Sequence, residues 1–187
     1  MSERFFTNEY LRFLRESFSQ VRSVGAVAPS SAALAAKMIA PIDFAKARVL
    51  VELGPGTGVF TRALLAHMHK DASLLALETN DNFRNEVAKI TDPRLRISGA
   101  SATDLAQVLG VTQADVVISG IPLAMLKHTE KQQLLAGVRQ SLSNEGVFTQ
   151  FQYSLESYRA LRNHFAQVSL AFTPWNIPPA IIYTCRT

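Results

Sequence analysis

The chain has 187 residues, which fits one domain with a sizeable core, and its 48% hydrophobic and 18% charged residues are ordinary for a globular protein. No apolar run reaches the ~20 residues that span a bilayer, Arg12, Arg15 and Glu16 interrupt any signal-peptide core, and the single Cys185 excludes an internal disulfide, so a cytoplasmic address is expected. The net charge of +4 admits an anionic partner, membrane or nucleic acid, without choosing between them.

Two helices are predicted ahead of the first strand. Over Phe5–Arg22, at about 100° per residue, Phe6, Tyr10, Leu11, Phe13, Leu14, Phe18 and Val21 fall in one arc of roughly half the circle. Arg15 and Arg22 lie beside one edge of the arc, and Glu9 and Glu16 beyond the other. Such a helix can pack on its own domain or lie on a membrane, with Phe6, Tyr10, Phe13 and Phe18 in the acyl boundary and Arg15 and Arg22 at the headgroups. Next, Ser30-Ser31 caps a small-residue helix carrying Leu34, Ala35, Met38 and Ile39, which Pro41 ends.

The first predicted strand, Arg48–Leu53, runs into Gly54-Pro55-Gly56-Thr57-Gly58 and then a helical pattern over Val59–Lys70. Glycines at such a turn let the backbone approach a ligand where a Cβ would clash. A dinucleotide loop needs Gly-x-Gly-x-x-Gly, whose third glycine would fall at Val59. The observed Gly-x-Gly-x-Gly, with Glu52 two residues ahead, is the loop pattern of S-adenosylmethionine (SAM) methyltransferases. Glu52 can accept hydrogen bonds from the SAM amino group, directly or through water, or it can sit as a carboxylate held by backbone donors at the helix start. Gly54, Gly56 and Gly58, with Thr57, shape the turn under the methionine part.

Further strands are predicted at Ser73–Glu78, Arg94–Ser98, Ala114–Ser119, Gly146–Tyr153, Val168–Thr173 and Ala180–Arg186. Helices are predicted at Asn80–Ile90, Thr103–Leu109, Thr129–Ser141 and Leu155–Phe165. Alternating βα units imply a mostly parallel sheet covered on both faces. The segment 174–179 is too short for a crossover helix, so the last two strands are expected as antiparallel neighbours. The result is an α/β fold: a seven-stranded, Rossmann-like class I SAM-dependent methyltransferase sheet with extra N-terminal helices. One domain, 1–187, is expected, with 1–40 forming the N-terminal helices and 48–187 the SAM-binding core.

Ligands of such sheets bind beyond the carboxyl ends of the strands. Glu78, with Thr79, ends the second strand where an acid reads a ribose diol, and Phe83 is placed to stack on adenine. After the third strand, Ser101 stands where many methyltransferases carry Asp for adenine N6, and Asp104 is placed to cap the following short helix. The fourth strand ends Ser119-Gly120-Ile121-Pro122-Leu123. Enzymes that methylate amines carry an Asn/Asp/Ser-Pro-Pro-Tyr/Phe relative here. Ser119 and the Gly120 carbonyl match the acceptors that would hold amine hydrogens in line with the SAM methyl. Leu123 replaces the usual aromatic, which weighs against flat bases as substrate. His67 and His69 have no matching ligand cluster, so no metal is expected.

At this point the chain resembles the small bacterial SAM-dependent phospholipid N-methyltransferases, which convert phosphatidylethanolamine stepwise toward phosphatidylcholine. The resemblance covers nearly the whole chain. It rests on Val24-Gly25-Ala26-Val27-Ala28-Pro29-Ser30-Ser31, the 51–59 glycine loop, Glu78-Thr79-Asn80, the Ser119–Leu123 turn, Gln150-Phe151-Gln152-Tyr153 and Asn176-Ile177-Pro178-Pro179-Ala180. It implies a cofactor, SAM, yielding S-adenosylhomocysteine, and partners that are anionic membrane lipids and phosphatidylethanolamine. It also implies a peripheral place on the inner membrane face, with Phe5–Arg22 as docking lid and Asn176 on the substrate side. Tyr153 could accept the amine's proton through water or hold the methylated cation on its ring face, and Tyr10 is a second cage candidate. DNA is not expected as a partner and RNA is disfavoured. A ribosomal RNA adenine dimethyltransferase-like enzyme and a non-catalytic SAM-fold module are the alternatives. The family's usual Gly-Asp-Ala after the third strand is replaced here by Gly99-Ala100-Ser101.

Overall fold

The computed structural model describes residues 29–176 and 178–187. The Phe5–Arg22 segment, and with it Phe6, Tyr10, Phe13, Arg15, Phe18 and Arg22, lies outside the described residues. The first described element is helix α1 (Pro29–Ile39), whose Leu34, Ala35, Met38 and Ile39 form one buried stripe. Strand β1 (Val49–Leu53) leads into α2 (Val59–His67), and β2 (Ser73–Leu77) into α3 (Asp81–Val87). β3 (Leu95–Ser98) precedes a 3-10 turn (Ala102–Asp104) and α4 (Leu105–Leu109). Then come β4 (Ala114–Ser119), a second 3-10 turn (Leu123–Met125), α5 (His128–Ser141), β5 (Leu142–Gln152), α6 (Tyr158–His164), β6 (Gln167–Thr173) and β7 (Ala180–Arg186).

The strands form one sheet in the order β3-β2-β1-β4-β5-β7-β6, in which β7 runs antiparallel to both its neighbours. The near-continuous apolar runs of β1 and β4 follow from burial on both faces. Leu50 and Ile118 pack toward α1 and α2, while Val51, Leu53 and Val117 pack toward α5 on the other side. The chain leaves β1 for β2 on one side and returns to β4 on the other. That reversal sets Leu53 beside Ser119 and opens the switch-point crevice at the carboxyl ends of the two strands.

Several boundaries differ from the sequence reading, and three of them have a clear local reason. β5 begins at Leu142, ahead of the expected Gly146. Ala114 pairs with Leu142 and Val116 with Val147, so Ser143, Asn144 and Glu145 bulge from the ladder before the strand resumes. α2 stops at His67 because Met68 turns to an extended backbone. The Arg94 guanidinium then donates to the carbonyls of Leu65 at 2.8 Å and Met68 at 2.9 Å, serving the helix end. Hydrogen bonds from Arg94 pull the Asp92 carboxyl down to about 2. α3 starts one residue later than expected because Asn80 lies outside it as its cap, accepting from Asn82 N at 2.9 Å and Phe83 N at 3.4 Å. Cys185 is buried, and burial pushes its thiol up to about 12, so it packs as an inert apolar group.

Candidate active site

Two turns meet backbone to backbone at the carboxyl ends of β1 and β4. Gly54 N–H donates to the Leu77 carbonyl at 2.9 Å, and Gly120 N–H to the Leu53 carbonyl at 2.8 Å. Gly54 and Gly56 have φ of 68° and 56°, in the left-handed region that favours glycine. A Cβ on Gly120 would lie 2.6 Å from the Gly54 carbonyl oxygen, and one on Gly54 2.7 Å from Ile121 Cγ1. A Cβ on Gly56 would meet nothing within 4 Å. Gly54 and Gly120 therefore serve the contact between the turns, whereas Gly56 borders open space. Gly58 starts α2, and Arg62 reaches back to donate to the carbonyls of Thr57 and Gly58.

Glu52 is fully buried under this loop. Its Oε2 accepts from Thr61 Oγ1 at 2.7 Å, and its Oε1 has no protein partner. Burial, opposed by the Thr61 hydrogen bonds and assisted by the nearby Glu78 charge, pushes its carboxyl up to about 7. A buried carboxylate oxygen without a partner is costly unless a ligand supplies one. Glu78, half-buried at the end of β2, accepts from Gly56 N at 3.3 Å and from Asn80 N at 2.9 Å. It thus holds the glycine loop as well as facing the crevice. Glu78→Ala should lower SAM affinity by about 1.5–3 kcal/mol, the range of a charged hydrogen bond. Calorimetric titration giving wild-type affinity for this variant would remove Glu78 from the pocket.

At the end of β3 the roles differ from expectation. The helix cap assigned to Asp104 is made by Ser101, whose Oγ accepts from Thr103 N at 3.3 Å and shares a 2.7 Å hydrogen bond with Thr103 Oγ1. Backbone geometry decides this, because Asp104 lies inside the 3-10 turn, whereas Ser101 precedes it with an extended backbone. The sequence reading also missed Arg84. Its guanidinium packs against Gly99, donates to the carbonyls of Glu78 at 3.1 Å and Thr79 at 3.0 Å, and pairs with Asp81. Only its spacing from Asp81 on a helix face hinted at any fixed position.

At the end of β4, Ser119 is buried and its Oγ accepts from Ile121 N at 3.2 Å, closing the turn on itself. Leu123, at the position where related motifs carry a ring, is fully buried in the core on the α5 side and does not face a substrate. Gln150, the register partner of Ser119, is a further missed residue. Its Nε2 donates to the carbonyls of Ile121 at 3.0 Å and Phe151 at 2.7 Å, while its buried Oε1 has no protein partner. A buried amide between Thr149 and Phe151 was the available signal. The structure also joins two residues that the sequence assigned separately: the side chains of Tyr153 and Asn176 are hydrogen-bonded. Asn176 Nδ2 donates to the Pro178 carbonyl at 2.7 Å, and the Tyr153 ring stands edge-on to Phe151, centroids 5.5 Å apart. Burial raises the Tyr153 phenol above its ordinary value, partly offset by Asn176. A neutral phenol is a weak proton acceptor, so of the two roles considered for Tyr153 the ring face suits this geometry better.

Elsewhere, a cleft of about 470 Å³ lies at the opposite, amino ends of the strands, among Lys46, Asp115, Glu145 and Arg186. Its Asp115 is spent on the backbone N–H groups of Arg48 and Val49. Among the described residues no cluster of three or more His, Cys, Asp or Glu could hold a metal ion, and no helix is long and apolar enough to cross a membrane.

No family model matches the chain. Over 184 residues, which are 95% of this chain and 96% of the relative, it is 32% identical to an ornithine lipid N-methyltransferase of Singulisphaera acidiphila. The chain belongs to this family, the SAM-dependent N-methyltransferases of lipid-modifying type. Solved structures agree on the fold. The 1,6-didemethyltoxoflavin-N1-methyltransferase of Burkholderia thailandensis, with bound S-adenosylhomocysteine, superposes at a TM-score of 0.71, 18% identical, over 96% of this chain and 89% of that one. Human methyltransferase-like protein 13 in complex with S-adenosylhomocysteine gives 0.62, 17% identical, over 83% and 78%. The sheet is that of a Rossmann-like class I methyltransferase, and SAM is the cofactor. The methyltransferase's own residues fit it: the orphaned Glu52 oxygen suits an ammonium donor, Gly56 borders open space, and Glu78 stands at the end of β2 where a ribose diol would sit.

Proposed function

We propose that the chain methylates the amine of phosphatidylethanolamine or its methylated derivatives at the membrane surface. The observation that carries this reading is the match over 95% of the chain to a relative named for N-methylation of a lipid. SAM, when bound, supplies an electrophilic methyl group on a sulfonium. A lipid ammonium with a pKa near ~10 must give a proton to water before it can attack. Ser119 Oγ and the Gly120 carbonyl then accept the remaining N–H bonds and aim the nitrogen lone pair, which is catalysis by positioning. Tyr153, steadied by Asn176, offers its ring face to the methylated cation. The printed name of the relative favours a second reading, in which the amine is that of an ornithine lipid.

The test is incubation with labelled SAM and vesicles of phosphatidylethanolamine with phosphatidylglycerol, beside a second set containing ornithine lipid, followed by separation of the lipids. Label in phosphatidylethanolamine supports the first reading, and label only in ornithine lipid moves the assignment to the second. SAM binding with no methyl transfer to any lipid or to RNA would make the chain a non-catalytic binding module. In the same assay Ser119→Ala should lower turnover at saturating lipid about tenfold or more while SAM affinity changes far less. Wild-type turnover would take Ser119 out of the site.

Docking belongs to the same reading. The Phe5–Arg22 segment lays its aromatic arc on an anionic bilayer, on the inner face of the membrane, and each interfacial Arg contributes roughly 1 kcal/mol. Deleting residues 1–18 should spare SAM binding and reduce both vesicle cosedimentation and lipid methylation. Equal pelleting with and without the segment would show that it packs on the core instead. Wild-type binding should weaken with salt yet persist in part, because the apolar contribution is not screened.

A further inference from the structure

Among the described residues, four of the eight exposed large apolar side chains stand along one rim. Met125 (43% exposed), Leu155 (56%) and Trp175 (77%) stand in the segments that follow the carboxyl ends of β4, β5 and β6. Phe172 (59%), near the end of β6, extends the group. The strands β4, β5, β7 and β6 are consecutive in the sheet, so these segments lie side by side at one end of it. The same end carries Ser119 and Tyr153, and the residue after Trp175 is Asn176, which bonds Tyr153.

We propose that this rim, with Trp175 at its tip, is a second bilayer-contacting surface, separate from the N-terminal segment. Two observations choose a lipid bilayer as its occupant. An exposed Trp with a neighbouring exposed Phe is the pair of side chains that settles at a headgroup boundary. The apolar rim also adjoins the proposed amine site. A lipid keeps its tails in the bilayer, so its headgroup reaches only a site whose edge meets the bilayer. The inference rests on the lipid-amine reading above.

The test uses the full chain and its only tryptophan, Trp175. Vesicles of phosphatidylglycerol and phosphatidylethanolamine should shift Trp175 emission to the blue, and brominated acyl chains should quench it. Phe172→Ser should reduce vesicle partitioning about tenfold, as expected for a buried aromatic group lost from an apolar contact. Val111→Ser, also exposed but in the turn leading to the amino end of β4, should leave partitioning unchanged. Absence of vesicle binding, or pelleting with Trp175 emission unchanged, overturns the surface. A blue shift on concentrating the protein without vesicles assigns the rim to a second copy and overturns it too. Methyl transfer to lipid in detergent micelles judges the enzymatic reading separately. Label transfer there, with Trp175 silent on vesicles, rejects the surface and keeps the function.

Discussion

A Gly56→Val chain should fold and yet take up no SAM. The added Cβ meets no protein atom within 4 Å, so the branched side chain enters the crevice rather than the core. The φ of 56° adds backbone strain of roughly 1–2 kcal/mol for a residue with a Cβ, and somewhat more for a branched one. A domain with about 5–15 kcal/mol of stability survives that cost. Gly120→Ala should behave in the opposite way. Its Cβ would press on the Gly54 carbonyl oxygen from 2.6 Å, and backbone cannot swing aside as a side chain can, so the unfolding temperature should fall. Calorimetric titration with SAM and thermal unfolding of both variants separate the two kinds of glycine. Wild-type SAM affinity in Gly56→Val would mean that the cofactor lies elsewhere.

SAM binding should tighten as pH rises through neutrality, and Glu52 should be the cause. Its carboxyl is pushed from 4.5 to about 7, so the cofactor-free fold holds this proton more tightly than the unfolded chain does. That contribution is complete below about 4.5 and is lost as pH rises through about 7, a difference on the order of 3 kcal/mol. Glu52→Gln stays neutral throughout. It should match wild type near pH 4.5 and unfold several degrees higher than wild type at pH 8. The SAM amino group is a cation that favours the ionised carboxylate, so the same variant should bind SAM about tenfold or more weakly at pH 8. A gain in stability joined to a loss of binding marks a residue kept for function. A wild-type pH dependence of unfolding and of SAM affinity in Glu52→Gln would refute the assignment.

The parts of the molecule that were legible in the sequence are those the backbone decides locally. All seven strands were legible because apolar runs punctuated by turns encode them directly, and the glycine turn was legible because only that residue fits its φ values. The antiparallel β7 followed from a connection too short to cross over. What escaped the sequence is what distant side chains settle. Arg94 serves the end of α2 from the start of β3, a pairing no local pattern encodes. Arg84 ties the ends of β2 and β3 while lying on a helix that reads as solvent-facing. Ser101 took the cap that Asp104 was expected to make, since backbone φ/ψ values chose between candidates three residues apart. Tyr153 and Asn176 were each singled out, but their hydrogen bond depends on where the β6–β7 turn folds back.

The touching of Gly54 and Gly120 has a consequence for how substrate range can change. The spacing between the glycine loop and the turn after β4 is set where the Gly120 backbone meets the Gly54 carbonyl, with the Ile121 side chain packed on Gly54 beside it. Substitutions in the surrounding wall cannot lengthen or shorten that interval by degrees. A descendant of this chain can therefore exchange one headgroup for another by rebuilding the segments after β5 and β6 while inheriting the transfer distance intact. A larger residue at either glycine would reset the distance for every substrate at once, so headgroup choice and methyl transfer can vary as separate traits.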